Sequence, residues 1–155
     1  MQVRNLHHRS KKYTMDTTVP KISDFITGDE NKGYAQYFTG KSWLAPLTNN
    51  KKLHVPLANV TFEPGCRNNW HSHTGGQILI AVGGEGLYQE KGKPAQHLKP
   101  GSVVEIAPNI EHWHGATANS WFSHLAITCN PQTNENKWLE PVSGETYNEA
   151  NLQIN

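Results

Sequence analysis

Five of the nine histidines form two His-x-His pairs and one later singlet, and their spacing could serve metal chemistry. In a β-strand, residues two apart project from the same face, about 6.6 Å from each other. The imidazoles of His71 and His73 can therefore converge on one ion, and Gln77 can add its carbonyl oxygen from the next strand. His112 lies well downstream and would approach from a facing strand. Three imidazoles and one amide oxygen suit a divalent ion such as manganese, iron, nickel or zinc.

Two further histidines could supply acid–base chemistry beside such an ion. His114 projects from the same side as His112 if that segment is extended, and His124 lies in the apolar run that ends at Thr128. An imidazole titrates near neutral pH, so either ring could act as a general base or acid. A hydrogen-bonded core histidine is an equally good interpretation of each residue taken alone. Four protein ligands on an octahedral ion would leave two positions for substrate or water, as in catalytic sites.

The segments that must position these residues are short and are separated by turns. Charged residues make up only 17 % of the chain, which contains 13 glycines and 9 prolines. Short apolar runs between such turns predict an all-β sandwich or barrel. We expect a flexible basic tail at 1–20, one domain at 21–145 and an extension at 146–155. The predicted strands cover residues 33–38, 53–63 with an interruption at Pro56, 70–73, 77–82, 86–89, 102–106 and 121–128. A short helix is predicted after Ser143.

The two histidine segments resemble the two sequence motifs of the cupin superfamily. Each motif combines glycines at fixed intervals with metal-binding histidines. The residues that carry the resemblance are Gly65, His71, His73, Gln77 and Gly84 in the first motif, and Gly101, Pro108 and His112 in the second. The resemblance implies a cupin jelly-roll β-barrel (a double-stranded β-helix) with short terminal extensions. It also implies that the metal ligands are His71, His73, Gln77 and His112.

A narrower set of motifs is similar to compact single-domain bacterial cupins of the group related to carboxymuconolactone decarboxylase. The set is Glu63-Pro64-Gly65, Trp70-His71-x-His73, the Pro108 to Gly115 segment and His124-Leu-Ala-Ile. It is also similar to manganese-dependent hydroxynitrile lyases of cupin fold. By that resemblance one divalent ion, with manganese as the first expectation, would polarise a hydroxyl or carbonyl oxygen. His124 would move the proton and His114 would assist, so that a cyanohydrin splits into an aldehyde and cyanide.

Gln77 departs from the general cupin pattern, in which an acidic residue stands at this position. Glutamine carries no charge, so a bound ion would keep more of its positive character and act as a stronger Lewis acid. The same lack of charge would weaken metal binding. We therefore expect a site of modest affinity and high polarising power.

The residues around the site predict a small-molecule pocket. Ala58 and Val60 alternate along one predicted strand and Thr128 ends another, so all three could form pocket walls, although core packing explains each of them equally well. A metal-dependent lyase is the leading hypothesis. An iron-dependent dioxygenase using the same ligands and a small-molecule-binding cupin without turnover are the alternatives.

Composition and charge disfavour other classes of function. A formal net charge of +1 and the lack of a basic stripe with interleaved aromatic residues argue against nucleic acid as a partner. No apolar run is long enough to span a membrane, no secretory signal is evident, and two cysteines are too few for a disulfide framework, so we expect a cytoplasmic protein.

Cupins often pair through N-terminal strands, so the resemblance implies a homodimer, for which the aromatic segment 34–38 would suit the interface.

Overall fold

The computed structural model describes residues 19–153, which form two antiparallel β-sheets and one α-helix. The predicted tail at 1–20 lies almost wholly outside the described residues. Among the described residues, no helix is both long and apolar enough to cross a membrane. The elements in chain order are β1 (Asp29–Glu30), β2 (Phe38–Thr39), β3 (Ser42–Pro46), β4 (Leu57–Phe62), β5 (Arg67–Asn68), β6 (His71–His73), β7 (Gln77–Gly84), β8 (Gly86–Glu90), β9 (Gln96–Leu98), β10 (Val103–Ile106), β11 (His112–Ala116), β12 (Phe122–Thr128), β13 (Asn136–Trp138) and α1 (Gly144–Leu152).

The strand order confirms the predicted all-β jelly-roll barrel. One sheet has the order β1-β3-β4-β12-β7-β10, and the other has the order β13-β6-β11-β5-β2, with β8 on the other edge of β11 and β9 beyond it. Alternate residues of the strands point into the barrel, as the two-residue period requires. The core that they form includes Phe62, Leu79, Ile106 and Phe122, all buried.

The prediction of a strand over residues 33–38 is wrong for most of that segment. Ala35–Tyr37 form a turn of 3-10 helix, closed by a hydrogen bond from the Tyr37 amide to the Tyr34 carbonyl, and only Phe38–Thr39 pair as a strand. Aromatic residues favour strands because they pack well on a half-buried sheet surface. Here the turn stacks the Tyr37 ring on Trp138 instead, so Tyr37 is half-buried without strand pairing, while Tyr34 stays exposed.

The break predicted at Pro56 is confirmed, because β4 begins at the next residue. The part of the predicted strand before it is wrong, since Leu53 ends a second 3-10 turn (Lys51–Leu53) that the Asn50 side chain caps, and residues 54–56 are not in a strand. A 3-10 turn fits a polar stretch that ends at a proline, because proline lacks the amide hydrogen that a strand ladder needs.

The helix predicted after Ser143 is confirmed. The Ser143 hydroxyl oxygen accepts a hydrogen bond from the Thr146 amide at 3.1 Å and so caps α1. Tyr147 packs against Trp113 and donates its hydroxyl hydrogen to the Ala116 carbonyl at 2.7 Å. Helix α1 therefore crosses the boundary predicted at 145/146 and packs on the outside of β11. Cys66 and Cys129 are both free thiols, as expected.

Candidate metal centre

Three histidines from two adjacent strands meet inside the barrel. His71 and His73 point inward from β6, and His112 points inward from β11, directly across from His71 in the strand register. One ligand atom from each of the three imidazoles can be chosen so that all three atoms lie within 4.8 Å of one another. The spacing predicted from the His-x-His pattern therefore converges on one point.

The outer nitrogen of each of these rings is held by a carbonyl oxygen. In His71, Nδ1 lies 2.8 Å from the carbonyl oxygen of Asn69. In His73, Nδ1 lies 2.6 Å from Oδ1 of Asn136. In His112, Nδ1 lies 2.8 Å from the carbonyl oxygen of Ile110. A carbonyl oxygen can only accept, so the proton stays on Nδ1 and the Nε2 lone pair faces the centre. This is the arrangement by which proteins orient histidine ligands on a metal.

Three buried atoms at this centre make no hydrogen bond of ordinary geometry within residues 19–153: His73 Nε2, His112 Nε2 and Gln77 Oε1. The Gln77 side chain nevertheless lies close enough to His73 to raise its pKa, against the larger lowering by burial. Leaving a buried polar atom without a partner costs roughly 1–3 kcal/mol. Each of these atoms carries a lone pair, so one cation would satisfy all three at once. The donor set of imidazole nitrogens and an amide oxygen fits a divalent transition-metal ion.

Gln77 reaches this centre because the chain bends sharply after β6. Gly76 has a φ of +83°, a left-handed conformation that glycine adopts without strain. A Cβ at Gly76 would lie 2.8 Å from the Ile106 carbonyl oxygen, so the close approach of the bend to the end of β10 also requires glycine. Gln77 is the first residue of β7, and this bend sets its position next to β6.

Burial keeps the three imidazoles in the form that binds metal. Desolvation lowers the pKa of His71 and His73 below the ordinary value for histidine, and it lowers that of His112 to about 4. For His71, the neighbouring His112 lowers the pKa further. A neutral imidazole is the ligand-competent form, so these rings do not need to lose a proton to bind an ion at neutral pH.

The two additional histidines lie together at the inner end of this site. The His114 and His124 rings meet edge to face with their centroids 4.9 Å apart. Burial lowers the pKa of both, that of His124 to about 4, so both are neutral at neutral pH. The structure therefore brings all six predicted site residues into one region of the barrel.

Different groups surround the two rings. The Asn68 side chain accepts from the His114 amide and places its own amino group 3.0 Å from His114 Nε2, so that the lone pair of Nε2 is taken. His124 packs against Phe62 and Phe122, and neither of its nitrogens makes a hydrogen bond of ordinary geometry within residues 19–153. The Leu125 backbone lies close enough to raise the pKa of His124, against the larger lowering by burial. A buried imidazole with a free lone pair and a free N–H can exchange a proton with a bound molecule.

A cavity of about 430 Å³ opens onto this group. The predicted pocket residues Ala58, Val60 and Thr128 all line it. Its lining also includes His71, His73, Gln77 and His114. His124 is not part of the lining, but it lies directly opposite the lining residue Val60 in the strand register and contacts His114. A second cavity of about 480 Å³, between residues 48–56 and Pro131, contains none of the clustered histidines.

Sequence reasoning missed three residues at this site: Asn68, Asn136 and Trp138. Asn68 lies within the first motif but is not one of its defining residues, and Asn136 and Trp138 lie outside both motifs. An isolated asparagine or tryptophan has no spacing that marks it as a partner. Two other tryptophans serve packing, since Trp113 packs on Tyr147 and Trp121 on Trp43.

Comparison with known proteins identifies the family. A family model described as a cupin domain matches residues 58–127. Over 117 residues the chain is 40 % identical to an (R)-mandelonitrile lyase of Granulicella tundricola, a match that covers 75 % of this chain and 89 % of the relative. The chain is a cupin. Its resemblance to carboxymuconolactone decarboxylase stays a prediction.

Solved structures agree with this assignment. A cupin-like protein from Thermotoga maritima is 43 % identical with a TM-score of 0.77, and the match covers 83 % of this chain and 96 % of that one. A predicted oxalate decarboxylase from the same organism, at 23 % identity and a TM-score of 0.55 over 70 % of this cupin and 93 % of that chain, shows the shared fold alone. Strand β13 and helix α1 lie beyond residue 127, where the family match ends.

Proposed function

We propose that this cupin is a metal-dependent lyase that cleaves or forms a cyanohydrin. The observation that carries the proposal is the pair of buried histidines, His114 and His124, packed beside three histidines whose lone pairs converge. Three such ligands alone would suit many cupins, but two further neutral imidazoles at one cavity give the site acid–base groups. The similarity to an enzyme named (R)-mandelonitrile lyase supports the same chemistry.

The proposed ligands are His71, His73, Gln77 and His112, and the proposed ion is manganese, with iron, nickel or zinc as alternatives. A bound ion would supply Lewis acidity that polarises the hydroxyl or carbonyl oxygen of the substrate. The uncharged Gln77 keeps that polarising power high. The chain contributes the neutral ligand atoms and the fixed orientation of each imidazole.

The proton transfer is assigned to His124, with His114 as its assistant. The lone pair of His114 Nε2 accepts a hydrogen bond from Asn68. Among the described residues, the nitrogens of His124 make no such hydrogen bond. His124 is not itself part of the cavity lining, so a substrate would have to bind against His114 to reach it. In cleavage, His124 would then take the hydroxyl proton while the carbon–carbon bond to the nitrile breaks, and the proton would pass to the departing cyanide. His114 orients the His124 ring through their edge-to-face contact and faces the substrate from the cavity wall.

The cavity wall supports a small organic substrate with an apolar group. Ala58, Val60 and Thr128 leave room opposite the histidines, and the aromatic side chains of Tyr34, Phe38 and Trp138 also line the cavity. Apolar walls with a few polar groups at one end are typical of small-molecule sites. We propose an aryl-substituted cyanohydrin as the substrate class.

The test is the cleavage of racemic mandelonitrile by the manganese-loaded protein, followed by the absorbance of benzaldehyde. We expect cleavage above the buffer rate, equal in air and under strict anaerobiosis, and loss of the activity in a His71→Ala, His73→Ala variant. Activity that requires oxygen would favour the iron-dependent dioxygenase. Binding of the compound without turnover by any metal-loaded form would favour the non-catalytic cupin.

The cytoplasmic location and the homodimer also stay predictions. Within the aromatic segment 34–38 proposed for the dimer interface, Tyr37 stacks on Trp138 and Phe38 contacts Phe62 of the same chain. Tyr34 has about half of its surface exposed. Sedimentation at micromolar concentration tests the dimer, and a monomer alone would contradict it.

A further inference from the structure

We infer that Asn136 and Trp138, on strand β13, are positioning residues for the metal ligands His73 and His71. The inference rests on the proposed metal site and adds residues to it that lie beyond the family match at 58–127. Strand β13 pairs with β6 so that Asn136 lies opposite His73 and Trp138 lies opposite His71. One short strand therefore faces both histidines of the His-x-His pair.

Asn136 holds His73 in a way that differs from the other two ligands. His71 and His112 each bond to the backbone carbonyl two residues earlier in the chain, Asn69 and Ile110, which no substitution removes. His73 Nδ1 bonds to the side-chain Oδ1 of Asn136, at 2.6 Å and 63 residues away. The Nδ1 side of His73 is thus held by one side chain, that of Asn136. Without this acceptor, a proton on Nε2, the atom that faces the metal, is no longer disfavoured.

Trp138 holds the other histidine by packing. Its ring centroid lies 4.8 Å from that of His71, and the ring stacks on Tyr37 at 4.5 Å with an angle of 4° between the planes. Tyr37 and Trp138 therefore back the His71 ring with a double aromatic layer. Such packing restricts the side-chain rotation of His71 and keeps its ring aimed at the centre.

Strand β13 is anchored by residues other than these two. The Asn134 side chain accepts from the Gly75 amide at 3.0 Å and donates to the Gly76 and Cys129 carbonyls at 2.8 and 2.7 Å. Past the strand, the Leu139 amide donates to the Trp70 carbonyl at 2.8 Å. Substitution of Asn136 therefore leaves both ends of β13 attached, which makes a folded variant the expected outcome.

The test compares metal affinity in four proteins: wild type, Asn136→Leu, Asn136→Asp and Lys137→Ala. Asn136→Leu keeps the size but lacks the acceptor, Asn136→Asp restores an acceptor, and Lys137 is an exposed neighbour on the same strand. The Kd for Mn²⁺ is measured by competition with a fluorescent chelator. We expect Asn136→Leu to weaken binding by roughly 10–100-fold, Asn136→Asp to bind at or above the wild-type affinity, and Lys137→Ala to match the wild type.

A second readout needs no metal. Long-range ¹H–¹⁵N correlation spectra of the metal-free protein at pH 8 report which nitrogen of His73 carries the proton. We expect the Nδ1–H form in the wild type and in Asn136→Asp, and a mixture of tautomers in Asn136→Leu. A wild-type tautomer and a Kd within twofold of the wild type in Asn136→Leu would overturn the role of Asn136. A wild type that binds no divalent ion would instead overturn the proposed metal site, whatever the tautomer.

Trp138 is tested in the same way with Trp138→Leu and Trp138→Phe. We expect Trp138→Leu to weaken Mn²⁺ binding several-fold and Trp138→Phe to restore most of the affinity, because phenylalanine keeps an aromatic face against His71. Equal affinity in Trp138→Leu and the wild type, with melting temperatures confirming that both are folded, would remove Trp138 from the inference.

Discussion

His114 and His124 meet at right angles, with ring centroids 4.9 Å apart, in the interior of the barrel. The two rings differ in what surrounds them. Asn68 bonds His114, whereas both nitrogens of His124 are buried without a partner among the described residues. A buried polar group without a partner lowers the stability of the folded protein, so we expect His124 to have a catalytic role.

This contrast predicts opposite effects of one substitution on stability and activity. His124→Leu replaces an unsatisfied imidazole among Phe62 and Phe122 with an apolar side chain of similar size, so we expect a melting temperature at or above the wild-type value. We expect kcat/KM for cyanohydrin cleavage to fall by roughly 10²–10⁴-fold, the usual contribution of a general base. Thermal unfolding and a steady-state assay on metal-loaded protein measure both. Unchanged kcat/KM with full metal content would remove His124 from the mechanism.

Replacing the neutral ligand by a charged one should separate affinity from catalysis. In Gln77→Glu, a carboxylate oxygen stands where Gln77 Oε1 lies without a partner among residues 19–153. The added negative charge should tighten Mn²⁺ binding and reduce the Lewis acidity of the ion. We therefore expect a lower Kd together with a lower kcat. Gln77→Ala is the control, in which affinity and kcat should both fall. A rise of both affinity and kcat in Gln77→Glu would contradict the role given to the neutral amide.

The pH dependence of stability follows from the buried histidines. A histidine in the unfolded chain has a pKa of about 6.5, whereas burial lowers the pKa of His112 and His124 to about 4. Between these values the unfolded chain binds protons that the folded protein does not bind. The free energy of unfolding should therefore fall as the pH drops from about 6.5 towards 4.

Urea unfolding in the presence of a chelator at pH 7, 6 and 5 measures this slope. His124→Leu has one fewer depressed histidine, so its stability should fall less steeply over the same range. Parallel slopes for the variant and the wild type would show that His124 titrates normally, which would contradict its burial as a neutral ring.

The predictions succeeded where a short sequence pattern determines geometry. His71 and His73 converge because strand residues alternate between faces, and the same rule puts Ala58 and Val60 on one cavity wall. The partners of the histidines were not predictable in this way. Asn68 lies 46 residues from His114, and Asn136 lies 63 residues from His73, so only the tertiary fold brings them together.

The error over residues 33–38 has a related cause. The aromatic content of this segment indicates that its rings pack against other residues, but the sequence does not say which ones. The Tyr34–Tyr37 turn stacks Tyr37 on Trp138, a residue 101 positions later, instead of pairing it in a sheet. The Pro56 break and the Ser143 cap were predictable because each acts through its immediate neighbours.

The most direct test of the metal site is elemental analysis of the protein purified without a histidine tag, beside a His71→Ala, His73→Ala variant. We expect near-stoichiometric manganese, iron, nickel or zinc in the wild type and none in the variant, with both proteins folded by circular dichroism. The identity of the ion would also choose between lyase and dioxygenase chemistry. No metal in either protein, even after growth with these ions supplied, would contradict the account and leave a barrel that binds small molecules without a Lewis acid.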